Sequence, residues 1–241
     1  MNRLPPIASS SFQSNSVQVA EATIPLLERT PLALSAPHRL FFPKHFESRY
    51  RYPLFIWLHS PDSSERELDE VMPALSTRNY IAIGLRGTEG SRIRQDCYRW
   101  GISDTSRRIA EELVMSTAQL AVEDLPIDPS RIFLGGFGAG GSMAQWVGLR
   151  NPNSFAGITS INGAVPDKPC LLTAWKHAKR LPVMYMYGET STLCPIDQVA
   201  KTIHFTHRSA LNYEYVQFNC GDCLDTAMTS MMNQFMMSKI V

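Results

Sequence analysis

Arg131-Ile132-Phe133-Leu134-Gly135-Gly136-Phe137-Gly138-Ala139-Gly140-Gly141-Ser142 decides the fold of this 241-residue chain. An apolar run gives way to five glycines within Gly135–Gly141, and a helix-compatible stretch continues to Arg150. The pattern predicts a buried strand, a very tight turn and a helix. Gly136 and Gly140 flank the turn, and the lack of a Cβ lets strand and helix approach closely there. Gly138 stands at the tip.

Outward from this segment, the chain alternates between dense apolar runs and helical patterns. Tyr52–Ser60, Asn79–Gly87, Phe155–Asn162, Leu181–Gly188 and Tyr213–Phe218 read as strands, with His38–Pro43 as an early one. Their apolar density fits parallel strands buried on both faces. Ser64–Ser76 reads as a helix, with Leu68, Val71, Met72 and Leu75 at helical spacing. Asp104–Glu123 reads as a long helix with Ile109, Leu113 and Leu120 on its apolar side. Thr173–Arg180, Ile196–Ala210 and Leu224–Ile240 read as further helices. The last carries Met228, Met231, Met232, Phe235 and Met236, read as a core-facing stripe. Residues 1–18, rich in Ser, Pro, Asn and Gln, read as a disordered tail. Residues 19–241 read as a single α/β domain, a size that supports its own core.

The ordered set resembles the carboxylesterase/phospholipase branch of the α/β-hydrolase superfamily. The tight turn resembles the nucleophile elbow, Gly-x-Ser-x-Gly. The strand ending Trp57-Leu58-His59-Ser60 resembles that family's Leu-His-Gly strand. The strand to Arg86 and the one to Gly188 follow in the family's order, so the likeness runs over roughly residues 38–241. The resemblance implies a mostly parallel sheet of about seven or eight strands with helices on both faces. It implies an oxyanion region around His59, Ser60 and Ala139, with Ser60 in place of the usual glycine.

The resemblance also implies a Ser-Asp-His triad, and this chain departs from it at each position. Gly138 stands where the serine belongs. Gly188-Glu189-Thr190-Ser191 puts Ser191 at the acid, and Gly221-Asp222 puts Asp222 at the histidine. A serine hydroxyl needs a base within hydrogen-bond reach to attack a carbonyl. The imidazole takes that proton and returns it to the leaving group. Removing a triad serine or histidine costs on the order of a million-fold in turnover in a serine protease. The expectation is therefore a protein of this fold without serine-esterase activity, serving a binding or structural role. Glycine also relieves the backbone strain that a turn tip imposes on other residues.

Two rival readings stay open from the sequence. The first is an active carboxylic-ester hydrolase with a displaced nucleophile or base, Ser142 and His59 being the candidates. The second is a thiol- or metal-linked site near Cys194, Cys220 and Cys223, the last two forming a lone Cys-x-x-Cys. A closed zinc site wants four ligands, so the pair alone does not make one. Five cysteines at scattered spacing do not form a disulfide framework.

Between Arg86 and Arg108 there are six arginines. The loop after Arg86 leaves the carboxyl edge of the sheet, where open α/β sheets bind ligands. Arginine forks suit carboxylates and phosphates. Arg86, Arg94 and Arg99, with Tyr98 and Trp100 as flat walls, are the candidate ligand-binding residues. A small anionic ligand or a protein partner is the expected kind of partner, and no cofactor or metal is expected. The formal net charge of +1 gives no general attraction to nucleic acid or a membrane surface. No stretch approaches the ~20 apolar residues of a membrane span, and the N-terminus lacks the apolar core of a signal peptide. The cytoplasm is the expected location.

Overall fold

The structure, a computed structural model, describes residues 36–165 and 176–240. The tail reading for residues 1–18, the start of the domain at 19–35 and the first part of the 173–180 helix lie outside the described residues.

Seven strands form one sheet: β1 His38–Phe41, β2 Tyr52–Leu58, β3 Ile81–Leu85, β4 Ile127–Phe137, β5 Gly157–Ile161, β6 Val183–Gly188 and β7 Tyr213–Phe218. Their order is β1-β3-β2-β4-β5-β6-β7. Only β1 runs antiparallel, pairing His38 with Leu85 through Phe41 with Ala82. The other five pairings are parallel. Every residue of β2, β3, β5 and β6 is buried, as strands covered on both faces require.

Among the described residues, five helices with fully described bounds cover the sheet: α1 Leu68–Leu75, α2 Asp104–Asp124, α3 Ala139–Arg150, α4 Ile196–Arg208 and α5 Thr226–Ser238. Successive side chains of a strand point to opposite faces, so β2 serves two cores. Leu54, Ile56 and Leu58 pack with α2 and α3. Phe55 and Trp57 pack with α1 and with Met228, Met232, Phe235 and Met236 of α5. The methionine stripe of the last helix is therefore core. No helix among the described residues is long and apolar enough to cross a membrane.

Helix α1 buries Leu68, Val71, Met72 and Leu75, as its spacing predicts, and is preceded by a 3₁₀ turn over Glu65–Glu67. Helix α2 departs from the expectation. Its buried face is Ala110, Val114, Thr117, Ala118 and Ala121, whereas Ile109 is 47% exposed. The buried stripe is one residue further along than Ile109, Leu113 and Leu120 suggest. That turns the helix by about 100°. Small side chains allow α2 to lie close to the sheet, and the larger Leu113 and Leu120 pack along its flanks. A two-stranded hairpin, Glu89–Gly90 with Tyr98–Arg99, also forms in the loop after β3, where the sequence shows too few residues to signal it.

The turn after β4 admits no side chain at its closest point. A Cβ on Gly140 would come within 2.1 Å of the Leu58 carbonyl oxygen and 2.5 Å of that of His59. Both obstacles are backbone at the end of a fully buried strand and cannot swing aside. We expect Gly140→Ala to destabilise the fold by more than about 3 kcal/mol, beyond ordinary core overpacking. Urea unfolding of the purified variant measures this, and a loss below about 1 kcal/mol would show that α3 can lift off the sheet.

Candidate functional site

The tip of the turn lies at the carboxyl edge of the sheet, between β2 and β5. Gly138 has φ 56° and ψ −120° and caps the N-terminus of α3. Its N–H donates to the Ile161 carbonyl at 2.7 Å, and its carbonyl accepts from Ser142 N at 3.0 Å. This left-handed conformation strains any residue with a side chain. The space above is also taken. A Cβ here would lie 2.9 Å from Pro61 Cδ and 3.2 Å from Leu193 Cδ1. The place of a nucleophile is covered by two apolar side chains.

Those two side chains belong to a cleft of about 250 Å³. Trp100, Ile102, Met143, Trp146 and Ala164 form its apolar walls, and Ser142, Asn162 and Arg107 are the polar side chains among the described lining. Gly138, Ser142 and Trp146 recur every four residues and so share one face of the α3 turn and helix. Arg107 is the only ionisable side chain of the described lining, so Ser142 has no base beside it in the cleft.

The positions matching the acid and the histidine face each other and are bonded to each other. Ser191 Oγ donates to Asp222 Oδ1 at 2.5 Å, and Thr192 Oγ1 donates to Asp222 Oδ2 at 2.5 Å. The backbone N–H groups of Thr192 and Leu193 donate to the same carboxylate at 3.1 and 3.2 Å. Ser191 Oγ accepts in turn from Cys194 N at 3.1 Å. Partial burial opposes charge on Asp222, but the donors from Ser191, Thr192 and Leu193 outweigh it and hold the carboxyl below the usual carboxylate range. The carboxylate ties down the loop that carries Leu193 over Gly138.

The residues that the resemblance assigns to an oxyanion region make bonds of their own. The Ser60 N–H donates to Glu67 Oε1 and Oε2 at 3.1 and 3.0 Å. Ser60 Oγ donates to Glu67 Oε2 at 2.5 Å, and Trp57 Nε1 to Glu67 Oε1 at 2.9 Å. Glu67 thus holds the end of β2 from the depression it shares with Ser60 and Arg94, not from the cleft above Gly138. His59 is fully buried. Its Nδ1 lies 2.7 Å from the Ser60 carbonyl oxygen, and its Nε2 accepts from Gly87 N at 2.9 Å. These partners fix the neutral tautomer with the proton on Nδ1. Burial, opposed by the bond to Ser60, depresses its basicity. Ala139 opens α3 on the floor of the cleft.

Of the candidate ligand-binding residues, Trp100 alone lines this cleft, its Nε1 donating to the His59 carbonyl at 3.1 Å. Arg86 grips Glu65 through Nε at 2.8 Å and Nη2 at 2.5 Å, and Nη1 donates to Tyr98 Oη at 3.0 Å. That pairing leaves Arg86 and Tyr98 committed to each other and to Glu65. Arg99 pairs with Glu89 at 3.0 Å. Arg94 lies on a separate polar depression with Asp62, Glu67 and Glu70. The cleft residues that sequence reasoning missed are Arg107, whose placement depends on the rotation of α2, and Trp146, Pro61, Asn162 and Leu193. Asn162 carries one signal, since asparagine tolerates the left-handed backbone it adopts at φ 50°.

Two of the thiols are held back from reactivity by burial. Cys194 is buried, lies 3.3 Å from Tyr185 Oη, and has its thiol pushed up by burial. Burial and the neighbouring Cys223 thiol push Cys220 up to about 12, far from the thiolate a nucleophile needs. Among the described residues no group of three His, Cys, Asp or Glu side chains is placed to hold a metal ion.

Fold and site together define an α/β-hydrolase scaffold whose cleft opens above the elbow. The sequence profile of the Phospholipase/Carboxylesterase family matches residues 98–240, more than half of the chain, and the chain belongs to that family. It is 26% identical over 151 residues to NocK of Nocardia uniformis subsp. tsuyamanensis, a protein named as a putative esterase. That match covers 60% of this chain and 42% of NocK, so the chain spans less than half of that relative. SOBER1 of Arabidopsis thaliana superposes with a TM-score of 0.69 at 13% identity, over 79% of this chain and all of that one. Acyl-protein thioesterase 2 of Zea mays gives 0.66 at 14% identity, over 86% and 100%. At these identities the solved structures speak for the fold.

Two consequences are measurable. Gly138→Ser should lower stability by about 1–3 kcal/mol through backbone strain alone, and denaturant unfolding that shows no loss would mean the tip relaxes. Asp222→Asn should unfold at lower urea than the parent at pH 7. The folded-state pKa of Asp222 lies below its unfolded value. Its contribution is therefore complete above about pH 4 and is lost as pH falls through the folded value. The gap between the two proteins should narrow below about pH 4. A gap that stays constant down to about pH 2.5 would show that the charge contributes nothing.

Proposed function

We propose that this protein is a non-hydrolytic member of its family that binds a small ligand in the cleft beside Gly138. One observation carries the reading: Pro61 and Leu193 lie where a nucleophile's side chain would project. The reading does not rest on a missing hydroxyl alone. The Asp222 carboxylate is saturated with donors from Ser191, Thr192 and Leu193. Glu67 takes the Ser60 N–H, a donor that the family resemblance assigns to the oxyanion region. Electrostatic stabilisation of the oxyanion usually supplies more of the rate acceleration in acyl transfer than any other effect. Removing one donor costs about 10²–10³ in turnover.

A displaced nucleophile at Ser142 has no support in the cleft's chemistry. A serine without a base is a poor nucleophile, and the one ionisable group of the described lining, Arg107, cannot accept a proton. What remains is a concave, mostly apolar site with a few polar groups, the common form of a small-molecule pocket.

A fluorophosphonate probe, which labels activated serines, is expected to leave the purified protein unlabelled. Hydrolysis of p-nitrophenyl butyrate should not exceed that by the same protein denatured. Labelling or turnover that disappears in Ser142→Ala would replace this reading with that of an active esterase.

A further inference from the structure

We infer that the cleft recognises a compact apolar carboxylate, one aromatic ring or short branched chain joined to a carboxylate arm, with Arg107 as its anchor. The inference rests on the binding reading above and names the class of ligand.

Two buried donors of the cleft residues lack acceptors. Arg107 Nη1 and Trp146 Nε1 are both shut off from solvent and meet no hydrogen-bond acceptor among the described residues. Trp146 is 5% exposed, so its indole N–H cannot turn to water. Buried donors without acceptors are rare in folded proteins and cost about 1–3 kcal/mol each, more when charged. The two groups adjoin, since the Arg107 guanidinium lies 4.8 Å from the centre of the Trp146 ring. Both residues line the cleft, and a turn of the half-buried Arg107 guanidinium brings its unmatched nitrogen to a carboxylate seated there.

The charge of the site is positive. Arg150 sits near the same ring, 5.4 Å away, but pairs with Glu111 at 2.7 Å. Among the described residues Arg107 has no such carboxylate partner at its buried nitrogen. Helix α3, twelve residues long, starts on the cleft floor at Ala139 with no side-chain cap on its first N–H groups. Those groups have no intrahelical acceptors and form the positive end of the helix dipole. An anion is therefore the complementary charge. A monoanion fits better than a phosphate dianion, whose second charge would be buried against Met143, Leu193 and Trp100 without a partner.

The rest of the ligand is apolar and small. A cavity of about 150 Å³ admits benzene. The cleft's 250 Å³ leaves room for a ring and a short acidic arm. Ile102 and Leu193 stand at its edge 80% and 43% exposed, unusual for such side chains unless something apolar covers them.

Phenylacetate, phenylacetamide and phenyl phosphate are the probes, none of them an ester of a carboxylic acid. Titration into the full chain is followed by tryptophan fluorescence, since Trp100 and Trp146 line the cleft, and by calorimetry. Phenylacetate should bind saturably, at least about tenfold more tightly than the neutral amide, as expected for one charge-assisted hydrogen bond of about 1.4 kcal/mol. Phenyl phosphate should bind more weakly than phenylacetate. Arg107→Gln should abolish the preference for acid over amide while its urea midpoint stays near that of the parent. Leu193→Trp, which fills the mouth, should weaken both ligands. Equal binding of acid and amide by the unaltered protein overturns the inference without recourse to any variant. So does tighter binding of phenyl phosphate, an unchanged preference in Arg107→Gln, or no saturable binding of phenylacetate. Ester turnover would instead overturn the non-hydrolytic reading, whatever the carboxylate does.

Discussion

The contact of Gly140 with the carbonyl oxygens of Leu58 and His59 is the constraint to which the rest of the site conforms. It brings the start of α3 against the end of β2, leaving backbone on both sides and no side chain between. His59 then has nowhere to go but inward, where its two ring nitrogens are met by Ser60 and Gly87. Its carbonyl takes the Trp100 indole N–H. One close approach thereby fixes the ends of β2 and β3, the first wall of the cleft and the floor beneath it.

Around this frame the polar groups near the cleft serve to hold loops. Glu67 collects donors from Trp57 and Ser60, and Asp222 collects donors from Ser191, Thr192 and Leu193. The Asp222 carboxylate is a weak base, because protonation would forfeit bonds already made. Both acids are thus occupied with structure. The sign of the cleft is left to Arg107 and the start of α3, and its shape to tryptophan, proline and leucine side chains.

The strands could be read from the sequence because each is a dense apolar run bounded by polar residues, and burial on both faces leaves no other reading. The turn could be read because glycine spacing reports directly on backbone approach. The positions matching the family's triad, Gly138, Ser191 and Asp222, come from residue-by-residue resemblance; Ser191 and Asp222 are bonded to each other, and Asp222 also holds Leu193, which covers Gly138. What covers Gly138 could not be read, since Pro61 and Leu193 arrive on loops far apart in the chain. The anchor could not be read either. Ile109, Leu113 and Leu120 look like the inner face of α2, but packing prefers the small stripe beginning at Ala110. That one-residue rotation separates Arg107, on the cleft, from the arginines that the sequence brings forward. Arg86 and Arg99 were conspicuous as charges, yet their carboxylate partners Glu65 and Glu89 sit in segments whose proximity only the fold creates.

The crowding above Gly138 has a consequence for how this scaffold could change. A hydroxyl at the tip would meet Pro61 and Leu193 before it met any base, and Leu193 is held there by Asp222. Replacing Asp222 with histidine would free the loop but forfeit the bonds that order it. Freeing the Ser60 N–H requires moving Glu67, which also holds Trp57. On the non-hydrolytic reading proposed above, each step toward a hydrolytic centre loses stability before it gains chemistry, and neighbouring sites of this kind do not combine additively. In a mutational landscape such a protein sits in a basin whose exits are several substitutions wide. Random single-residue libraries drawn from it would sample only the walls.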